Sequence, residues 1–295
     1  MSRASSARAD RAPLAAAVCQ FRGGPDVGAN LRRIEELAAE AAGAGARLVV
    51  FPEASMYAWD STADELAAAA AEHSASFLDG LSAVASQLQV TLVAGMFVPT
   101  NSPRPHNRLV VLGPDGELRA SYDKVHLFDA FSWRESDKIT PGRTRADMSE
   151  LCTVDVDGLT IGLLNCYDLR FPEMARALVD RGVEVLIVSS AWVAGPHKEM
   201  HWEILLRARA IENTCYVLAA SQPPPAAAGL SMIVDPVGVV AATCVGVEGT
   251  AAHRLDPAHL RHARETVPSL QHRRYAVATA YDGRRVTSLS RIAGS

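Results

Sequence analysis

Short, almost wholly apolar segments alternate along this chain with segments whose apolar residues recur at helical spacing. Residues 183–192 read VEVLIVSSAW and residues 159–166 read LTIGLLNC. A strand that is apolar at successive positions is buried on both faces, so its sheet must be covered on both sides. Between such strands, helical spacing recurs, as in Leu31, Ile34, Leu37, Ala38 and Ala41. The alternation therefore predicts an α/β fold whose strands are covered by other layers.

The same patterns predict individual elements. Helices are predicted at 74–90, from about Pro172 to Arg181, and from about Lys198 to Glu212. Turn residues join two pairs of strands, through GPDG at 113–116 and in SMIVDPVGVVAAT at 231–243. That second hairpin is the last pair of strands that the pattern predicts. Other strands are predicted in LAAAVCQF (14–21), RLVVFPE (47–53), TLVAGMFV (91–98) and CYVLAASQ (215–222).

No stretch of the sequence has the length or composition of a linker between domains. NSPRPHN and SQPPPAAAG are too short for that and are interpreted as loops. With 295 residues and 48% hydrophobic content, the chain can bury one large core. We therefore expect one domain at 13–275, a flexible N-terminal tail at 1–12, and a C-terminal arm or tail at 276–295.

Composition argues against several classes of partner. The formal net charge is −4, so the chain has no basic surface of the kind that nucleic acids require. No apolar run approaches the roughly 20 residues of a membrane span. The five cysteines are scattered and odd in number, without CxxC spacing, which fits a reducing cytoplasm rather than a disulfide framework or zinc cluster. In HKEMH, Lys198 occupies the glutamate position of a zinc-binding HExxH helix, so no metal or cofactor is predicted.

Three chemically capable residues follow apolar strands, where open sheets tend to place their sites. Glu53 ends RLVVFPE, Lys124 follows RASYD, and Cys166 follows LTIGLLN. Each alone is commonplace, but a nucleophilic thiol needs a base and a nearby positive charge, and the other two residues could supply them. A cysteine–histidine hydrolase is the alternative. His126 is the only histidine near this set, and that pairing would explain neither Glu53 nor Lys124.

Five blocks resemble the carbon-nitrogen hydrolase (nitrilase) superfamily, in its order. They are FPE (51–53), DKVHLFD (123–129), NCYDLRFPE (165–173), RAIENTCYVLAASQ (209–222) and GLSMIVDPVGVV (229–240). The nitrile-cleaving branch carries tryptophan after the nucleophile, whereas Tyr167 resembles the amidase branches, including omega-amidases and deaminated-glutathione amidases. The resemblance implies a four-layer α-β-β-α sandwich that forms a homodimer or a higher homo-oligomer.

The resemblance also implies a role for each matching residue. Glu53 would be the general base, Lys124 the oxyanion-stabilising cation and Cys166 the nucleophile. The family's second glutamate falls on Glu135, in FSWRESDKITPG. The backbone N–H of Tyr167 would assist at the oxyanion. A small amide would then be cleaved through a thioester, releasing ammonia and a carboxylic acid.

Substrate choice is left open by the sequence. Arg170 could pair with a substrate carboxylate or could brace a nearby Asp or Glu, and Trp192 could be a pocket wall or core. Hydrolysis of N-carbamoyl amino acids is an alternative reaction. An acyltransferase, or a non-catalytic small-molecule-binding protein of the same fold, is an alternative from another class.

Overall fold

The computed structural model describes residues 11–279. Most of the predicted N-terminal tail and most of the predicted C-terminal arm lie outside the described residues. The described part contains fourteen strands and six α-helices. The helices are α1 (Val27–Gly43), α2 (Ala63–Leu88), α3 (Pro172–Asp180), α4 (Lys198–Asn213), α5 (Pro257–Thr266) and α6 (Ser269–His272). None of them is both long enough and apolar enough to cross a membrane.

Twelve strands form two six-stranded sheets, and two form a small hairpin. The first sheet contains β1 (Leu14–Gln20), β2 (Leu48–Val50), β3 (Thr91–Val98), β4 (His106–Leu112), β5 (Leu118–Asp123) and β14 (Gly249–Leu255). The second contains β8 (Thr153–Val156), β9 (Leu159–Asn165), β10 (Val185–Ser190), β11 (Tyr216–Ser221), β12 (Ser231–Val234) and β13 (Val240–Cys244). The hairpin consists of β6 (Asp129–Ala130) and β7 (Trp133–Arg134).

The two sheets have the same pattern of strand pairing. Their orders are β14-β1-β2-β3-β4-β5 and β8-β9-β10-β11-β12-β13. In each, the second, third and fourth strands are parallel, and every other pairing is antiparallel. Both sheets are therefore mixed, and the carboxyl ends of their central parallel strands carry Glu53 and Cys166.

Burial on both faces explains the apolar strands. In β1, Ala16 and Val18 belong to a core that joins the two sheets with α3 and α4, whereas Ala17 and Cys19 belong to a core that joins the first sheet to α1 and α2. Each strand face thus packs against a different layer. The layers are helices, sheet, sheet and helices, so the predicted α-β-β-α sandwich is confirmed.

The sequence patterns predict no strand or helix after residue 243, and they miss some elements before it. The structure adds β14, which pairs antiparallel with β1 along its whole length, and then α5. It also adds β8 and the β6–β7 hairpin. Helix α2 begins eleven residues earlier than predicted, because Thr62 and Glu65 form a capping box there.

Candidate active site

Three strands deliver the three predicted residues to one place. Glu53 lies three residues after β2, Lys124 directly after β5, and Cys166 directly after β9. Glu135 begins a single 3-10 turn, Glu135–Asp137, immediately after β7. All four side chains are buried, although they come from distant parts of the chain. The fold therefore places a thiol, a lysine and two carboxylates within one cluster.

Lys124 lies between the two carboxylates. Its Nζ donates to Glu53 Oε1 at 2.8 Å and to Glu135 Oε1 and Oε2 at 3.0 and 2.9 Å. Burial by itself would lower the pKa of this ammonium, but Glu135 and Glu53 outweigh burial and raise the pKa well above its usual value. Lys124 therefore stays charged at any physiological pH.

The two glutamates are not equivalent. Burial would raise the pKa of Glu53, but Lys124 and the backbone N–H of Ala191, which donates to Oε2 at 2.8 Å, lower it below its ordinary value. At Glu135 burial prevails and, with the charge of Glu53, raises the pKa despite Lys124 and a 2.7 Å hydrogen bond from the N–H of Phe128. Glu53 is thus the carboxylate held ionised, ready to accept a proton.

Asn107 connects the cluster, and it is not among the residues predicted from the sequence. Its Nδ2 donates to Glu53 Oε1 at 2.7 Å and to Glu135 Oε1 at 3.3 Å. Its Oδ1 accepts from Asn165 Nδ2 at 3.0 Å, which ties the glutamates to the residue before Cys166. The available signal was an asparagine at the start of an apolar strand, because a buried amide must be hydrogen-bonded.

Cys166 begins a tight turn in an unfavourable backbone conformation. It opens the 3-10 turn Cys166–Arg170 with φ of +51°. Asp168, fully buried, stabilises this turn by accepting the N–H of Asn165 at 2.8 Å and the hydroxyl of Tyr122 at 2.7 Å. Burial, and next the charge of Glu53, raise the pKa of the Cys166 thiol. The resting cysteine is therefore a thiol and not a thiolate.

The side chain of His126 pairs with a carboxylate and not with Cys166. Its Nδ1 lies 2.7 Å from Asp168 Oδ1, and its ring stacks on Phe171 with centroids 3.8 Å apart. It thus supports the turn after Cys166 through a carboxylate. The contacts of this histidine do not support a cysteine–histidine pair.

Two cavities meet at Cys166. The larger, of about 440 Å³, is here called the glutamate cavity, and its lining includes Glu53, Lys124, Glu135, Trp59 and Lys138. The smaller, of about 220 Å³, is here called the cationic cavity. It is lined by Phe128, Cys166, Tyr167, Arg170, Trp192, Val193 and Lys198. A molecule with its reacting carbonyl at Cys166 would extend into both.

Known proteins resemble this chain over most of its length. The sequence profile described as Carbon-nitrogen hydrolase matches residues 15–265. The chain belongs to the carbon-nitrogen hydrolase family. The deaminated glutathione amidase of Escherichia coli O157:H7 is 38% identical over 247 residues, which cover 84% of this chain and 92% of that protein. Members of the carbon-nitrogen hydrolase family are enzymes. This chain is therefore a carbon-nitrogen hydrolase with amidases among its relatives.

Solved structures of other proteins have the same fold. The NitFhit protein of C. elegans is 30% identical, with a TM-score of 0.84 over 90% of this chain and 67% of that one. A double mutant of the amidase from Nesterenkonia sp. AN1, in complex with acrylamide, is 26% identical, with a TM-score of 0.77 over 89% and 94% of the two chains. A small amide therefore binds in a structural relative of this hydrolase.

In this carbon-nitrogen hydrolase, the predicted Arg170 and Trp192 line the cationic cavity together. The guanidinium of Arg170 lies 4.7 Å from the centre of the Trp192 ring, and its Nη2 lies 3.5 Å from Nδ1 of His201. Within the described part of the chain, no Asp or Glu forms an ion pair with Arg170, and its buried Nε has no partner. The alternative that Arg170 braces a carboxylate therefore has no support in the described residues.

Lys198 is a second cation in the cationic cavity, a position that the sequence pattern did not predict. Its Nζ lies 3.7 Å from the centre of the Phe131 ring and 5.0 Å from that of Phe128. Burial, and next the charge of Arg170, lower the pKa of Lys198, and burial also lowers that of Arg170. Among residues 11–279, neither of these partly desolvated cations forms an ion pair with an acidic side chain, and two such cations are a site suited to an anion.

Tyr167 and Trp192 complete the walls of the cationic cavity. Tyr167 lies edge-on to Phe128, with ring centroids 5.2 Å apart. Trp192 belongs both to the core and to the cavity wall, because it is buried and its Nε1 donates to the carbonyl of Lys198 at 2.9 Å.

Across residues 11–279, no group of three or more His, Cys, Asp or Glu side chains is arranged to hold a metal ion.

Proposed function

We propose that this hydrolase cleaves the C–N bond of a small amide whose acyl part carries a carboxylate, through a thioester on Cys166. The observation that carries the proposal is the position of Cys166 between the Glu53–Lys124–Glu135 cluster and the cationic cavity. The cluster supplies the chemistry, and the cavity supplies a site for the carboxylate.

Acylation begins with a protonated thiol. The pKa of Cys166 is raised and that of Glu53 is lowered, so the proton moves to Glu53 only as the sulfur attacks the carbonyl. The developing oxyanion is stabilised by Lys124 and by the backbone N–H of Tyr167. Lys124 does not give up its own proton, because its pKa is raised well above the usual value.

Glu53 then returns the proton to the departing nitrogen, and the thioester remains. In the second half of the reaction, Glu53 removes a proton from water, and the resulting hydroxide attacks the thioester. Glu135, within hydrogen-bonding distance of Lys124 and Asn107, positions that water. The carboxylic acid leaves, and the thiol is restored.

The acyl part of the substrate is assigned from the cationic cavity. Arg170 can bind a carboxylate through two parallel N–H donors, and Lys198 adds a second charge. A cavity of about 220 Å³ suits a short chain. Relatives named deaminated glutathione amidase support an amide as the substrate. An ω-amide of a dicarboxylic acid has the same acyl chemistry.

The test is a panel of amides, with Cys166→Ala protein as the control. We expect turnover of ω-amides and deaminated glutathione, little turnover of neutral amides of equal length, and a thioester on Cys166 by mass spectrometry. Release of carbon dioxide from carbamoyl amino acids would indicate the carbamoyl reaction instead. Loss of the thioester only on addition of an amine would indicate an acyltransferase. Equal rates on neutral and anionic amides would overturn the acyl-carboxylate proposal.

Arg170→Ala tests the carboxylate site separately. Removing the guanidinium should raise KM for anionic amides more than for neutral ones, because only the anionic acyl group contacts it. A loss of roughly tenfold or more in kcat/KM is expected from a charged hydrogen bond. Equal losses on both classes would contradict the assignment.

A further inference from the structure

Ser190, the last residue of β10, lies beside the nucleophile at the carboxyl ends of the parallel strands. Strands β9 and β10 are parallel, and Ser189 of β10 is opposite Asn165 of β9. The next residues along the two strands are Ser190 and Cys166, so the register places them side by side. Ser190 is fully buried, and its hydroxyl is therefore out of contact with solvent.

The hydroxyl of Ser190 has no conventional hydrogen-bond partner among residues 11–279. The other buried serines in this range each donate to a backbone carbonyl; they are Ser55, Ser189, Ser221 and Ser231. A buried hydroxyl without a partner costs free energy, and such groups are rare in folded proteins. The exception at Ser190 therefore indicates an acceptor that forms only during the reaction.

That acceptor is the sulfur of Cys166 and not the substrate. Ser190 lines neither the glutamate cavity nor the cationic cavity, although both are lined by residues of the segment that follows it. A substrate held in these cavities therefore does not reach the hydroxyl. The thiol does interact with it. Burial and the charge of Glu53 raise the pKa of Cys166, whereas the Ser190 hydroxyl, as a hydrogen-bond donor, lowers it.

The proton of the Cys166 thiol is directed toward Glu53. Burial raises the pKa of Glu53, whereas Lys124 and, more weakly, a hydrogen bond from the Cys166 thiol lower it. Because the thiol donates to Glu53, the lone pairs of the sulfur remain available to a donor on another side, where Ser190 lies. The next residue, Ala191, donates its N–H to Glu53 Oε2 at 2.8 Å. The end of β10 thus adjoins both groups between which the proton moves.

We propose that Ser190 is a further catalytic residue, whose hydroxyl donates a hydrogen bond to the sulfur of Cys166 whenever that sulfur carries negative charge. The inference rests on the proposed function, because the charge develops in thioester chemistry. In acylation, the thiol proton passes to Glu53 as the sulfur bonds to the carbonyl carbon. In deacylation, the C–S bond breaks, and the sulfur leaves with the bonding electron pair and recovers a proton from Glu53. Ser190 keeps its own proton throughout.

The lack of a conventional partner at rest is what makes this hydroxyl effective. A donor bonded equally well to the thiol and to the thiolate would stabilise ground state and transition state alike, and the rate would not change. Hydrogen bonds to a charged acceptor are roughly twice as strong as neutral ones, and catalytic hydrogen bonds often tighten only as the reaction proceeds. The interaction of Ser190 with the sulfur therefore strengthens as the charge develops, which lowers the barriers of both half-reactions.

Ser190→Ala tests the interaction without any substrate, through alkylation of Cys166 by iodoacetamide. Loss of a hydrogen bond to a charged group should reduce the thiolate fraction at pH 8 about tenfold. A thiolate of higher pKa is also more nucleophilic, so the alkylation rate should fall only about threefold. Unchanged alkylation, or the faster alkylation expected from a loosened site that exposes the sulfur, overturns the proposal.

Ser221→Ala is the matched control. Ser221 lies opposite Ser190 on β11, is equally buried, and donates to the carbonyl of Gln222 at 3.3 Å. We expect the alkylation of Cys166 and kcat in this variant to match those of the parent protein. Ser190→Thr retains the hydroxyl and should keep most of the alkylation rate, which separates loss of the donor from a change in packing. Equal slowing in Ser190→Ala and Ser221→Ala would contradict the assignment.

Turnover provides the second readout and separates this proposal from the proposed function. Because the sulfur reacts with every substrate, Ser190→Ala should lower kcat/KM about tenfold for each amide that is turned over, anionic or neutral. Slower alkylation in Ser190→Ala supports the contact with the sulfur even if no amide on the panel is hydrolysed. Turnover that depends on Cys166 but is unchanged in Ser190→Ala leaves the proposed function standing and overturns the role of Ser190.

Discussion

At the scale of single residues, one ammonium neutralises only part of the charge of two carboxylates. Lys124 contacts both Glu53 and Glu135 within 3.0 Å, and all three groups are buried. Two carboxylates that share one cation resist simultaneous ionisation, and their pKa values separate. Here Glu53 has the lowered pKa and Glu135 the raised one. This separation of pKa values fits Glu53 as the general base and Glu135 as a residue that positions a reactant.

Glu135→Gln tests that division of roles. The variant keeps the shape of the side chain but removes the charge that, with Glu53, holds Lys124. We expect kcat to fall by roughly 10²-fold, as for loss of a group that orients a reactant, with a smaller change in KM. If Glu135 acts on the water, the thioester should accumulate and be detectable by mass spectrometry. A thioester that forms slowly and never accumulates would place the role of Glu135 in acylation instead.

The raised pKa of Cys166 predicts how the free protein reacts with iodoacetamide. A thiol of ordinary pKa, about 8.5, is mostly thiolate by pH 9.5, so its alkylation rate levels off. For Cys166 the raised pKa makes the thiolate scarcer at every pH below that pKa, and the rate should still be rising at pH 9.5. Peptide mapping after timed alkylation measures this rate at Cys166 alone.

Glu53→Gln should make Cys166 more reactive toward alkylation, while it abolishes turnover. The charge of Glu53 contributes to the raised pKa of the thiol, and its removal leaves Lys124 to favour the thiolate. Alkylation at pH 8 should therefore be faster in the variant than in the parent protein. Cys152 is an internal control, because burial alone raises its pKa, to about 11, and its rate should not change. Slower alkylation of Cys166 would mean that Glu53 already deprotonates it at rest.

At the scale of secondary-structure elements, Glu53 is positioned by a close approach between β3 and the turn after β2. A Cβ at Gly95, in β3, would lie 2.6 Å from the backbone N of Ala54 and 2.8 Å from Cα of Glu53. Ala54 itself has a left-handed φ of +54°. Only a residue without a side chain permits this contact. The position of Glu53, the proposed general base, therefore depends on a glycine in the neighbouring strand.

Gly95→Ala should separate β3 from the Glu53 turn. We expect a loss of at least about 2 kcal/mol in the free energy of unfolding, as for overpacking against a rigid backbone, together with a lower kcat. Gly43→Ala is the control, because nothing lies within 4 Å of a Cβ at Gly43. That variant should range from no change to a gain of about 1 kcal/mol, with kcat unchanged. Urea unfolding and steady-state kinetics measure both; equal stability of the two variants would contradict the prediction.

The elements also differ in how well the sequence indicated them. The buried strands β9, β10 and β11 were clear, because their apolar runs are nearly continuous. Strand β8 was not recognised, since TVDV alternates and is largely exposed at an edge of the sheet. The hairpin that carries Phe131 was not recognised either, because Phe131 and Ser132 adopt positive φ without the usual glycine or asparagine.

At the scale of the whole molecule, helix α4 exposes an apolar face. Met200, Ile204 and Ile211 are 49%, 56% and 52% exposed. The turn between β12 and β13 adjoins this face, since the side chain of Ile211 contacts Gly238 and Val237 and Val239 are also exposed. Contiguous exposed apolar surface of this kind marks interaction sites. We propose it as a contact face of the predicted homo-oligomer.

Ile204→Glu tests the homo-oligomer. A carboxylate in the centre of an apolar contact would be desolvated without a partner, so the variant should dissociate to monomers at concentrations where the parent protein is dimeric or larger. Size-exclusion chromatography with light scattering measures the mass. Glu203→Gln, on the same helix turn, is the control and should retain the assembly. A monomeric parent protein, or an Ile204→Glu variant with unchanged mass, would contradict this assignment.

The sequence by itself predicted strands covered on both faces, and its resemblance to the carbon-nitrogen hydrolases implied the four layers and the candidate site residues. Apolar periodicity is a local property, so it revealed the strands that are buried on both faces and the helices between them. The blocks around Glu53, Lys124 and Cys166 are also local, and they identified the family. Glu135 was placed through the resemblance, because the family's second glutamate lies between the blocks that contain Lys124 and Cys166.

Tertiary structure alone decided what surrounds those groups. The pairing of β14 with β1, the bridge from Asn107 to both glutamates, and the support of the Cys166 turn by His126 through Asp168 all join residues far apart in the chain. Only the tertiary structure also brings Arg170 and Lys198 into the lining of one cavity, and Trp59 and Lys138 into the lining of another. Hydrogen bonds and desolvation depend on distance in space, and a sequence pattern records only distance along the chain.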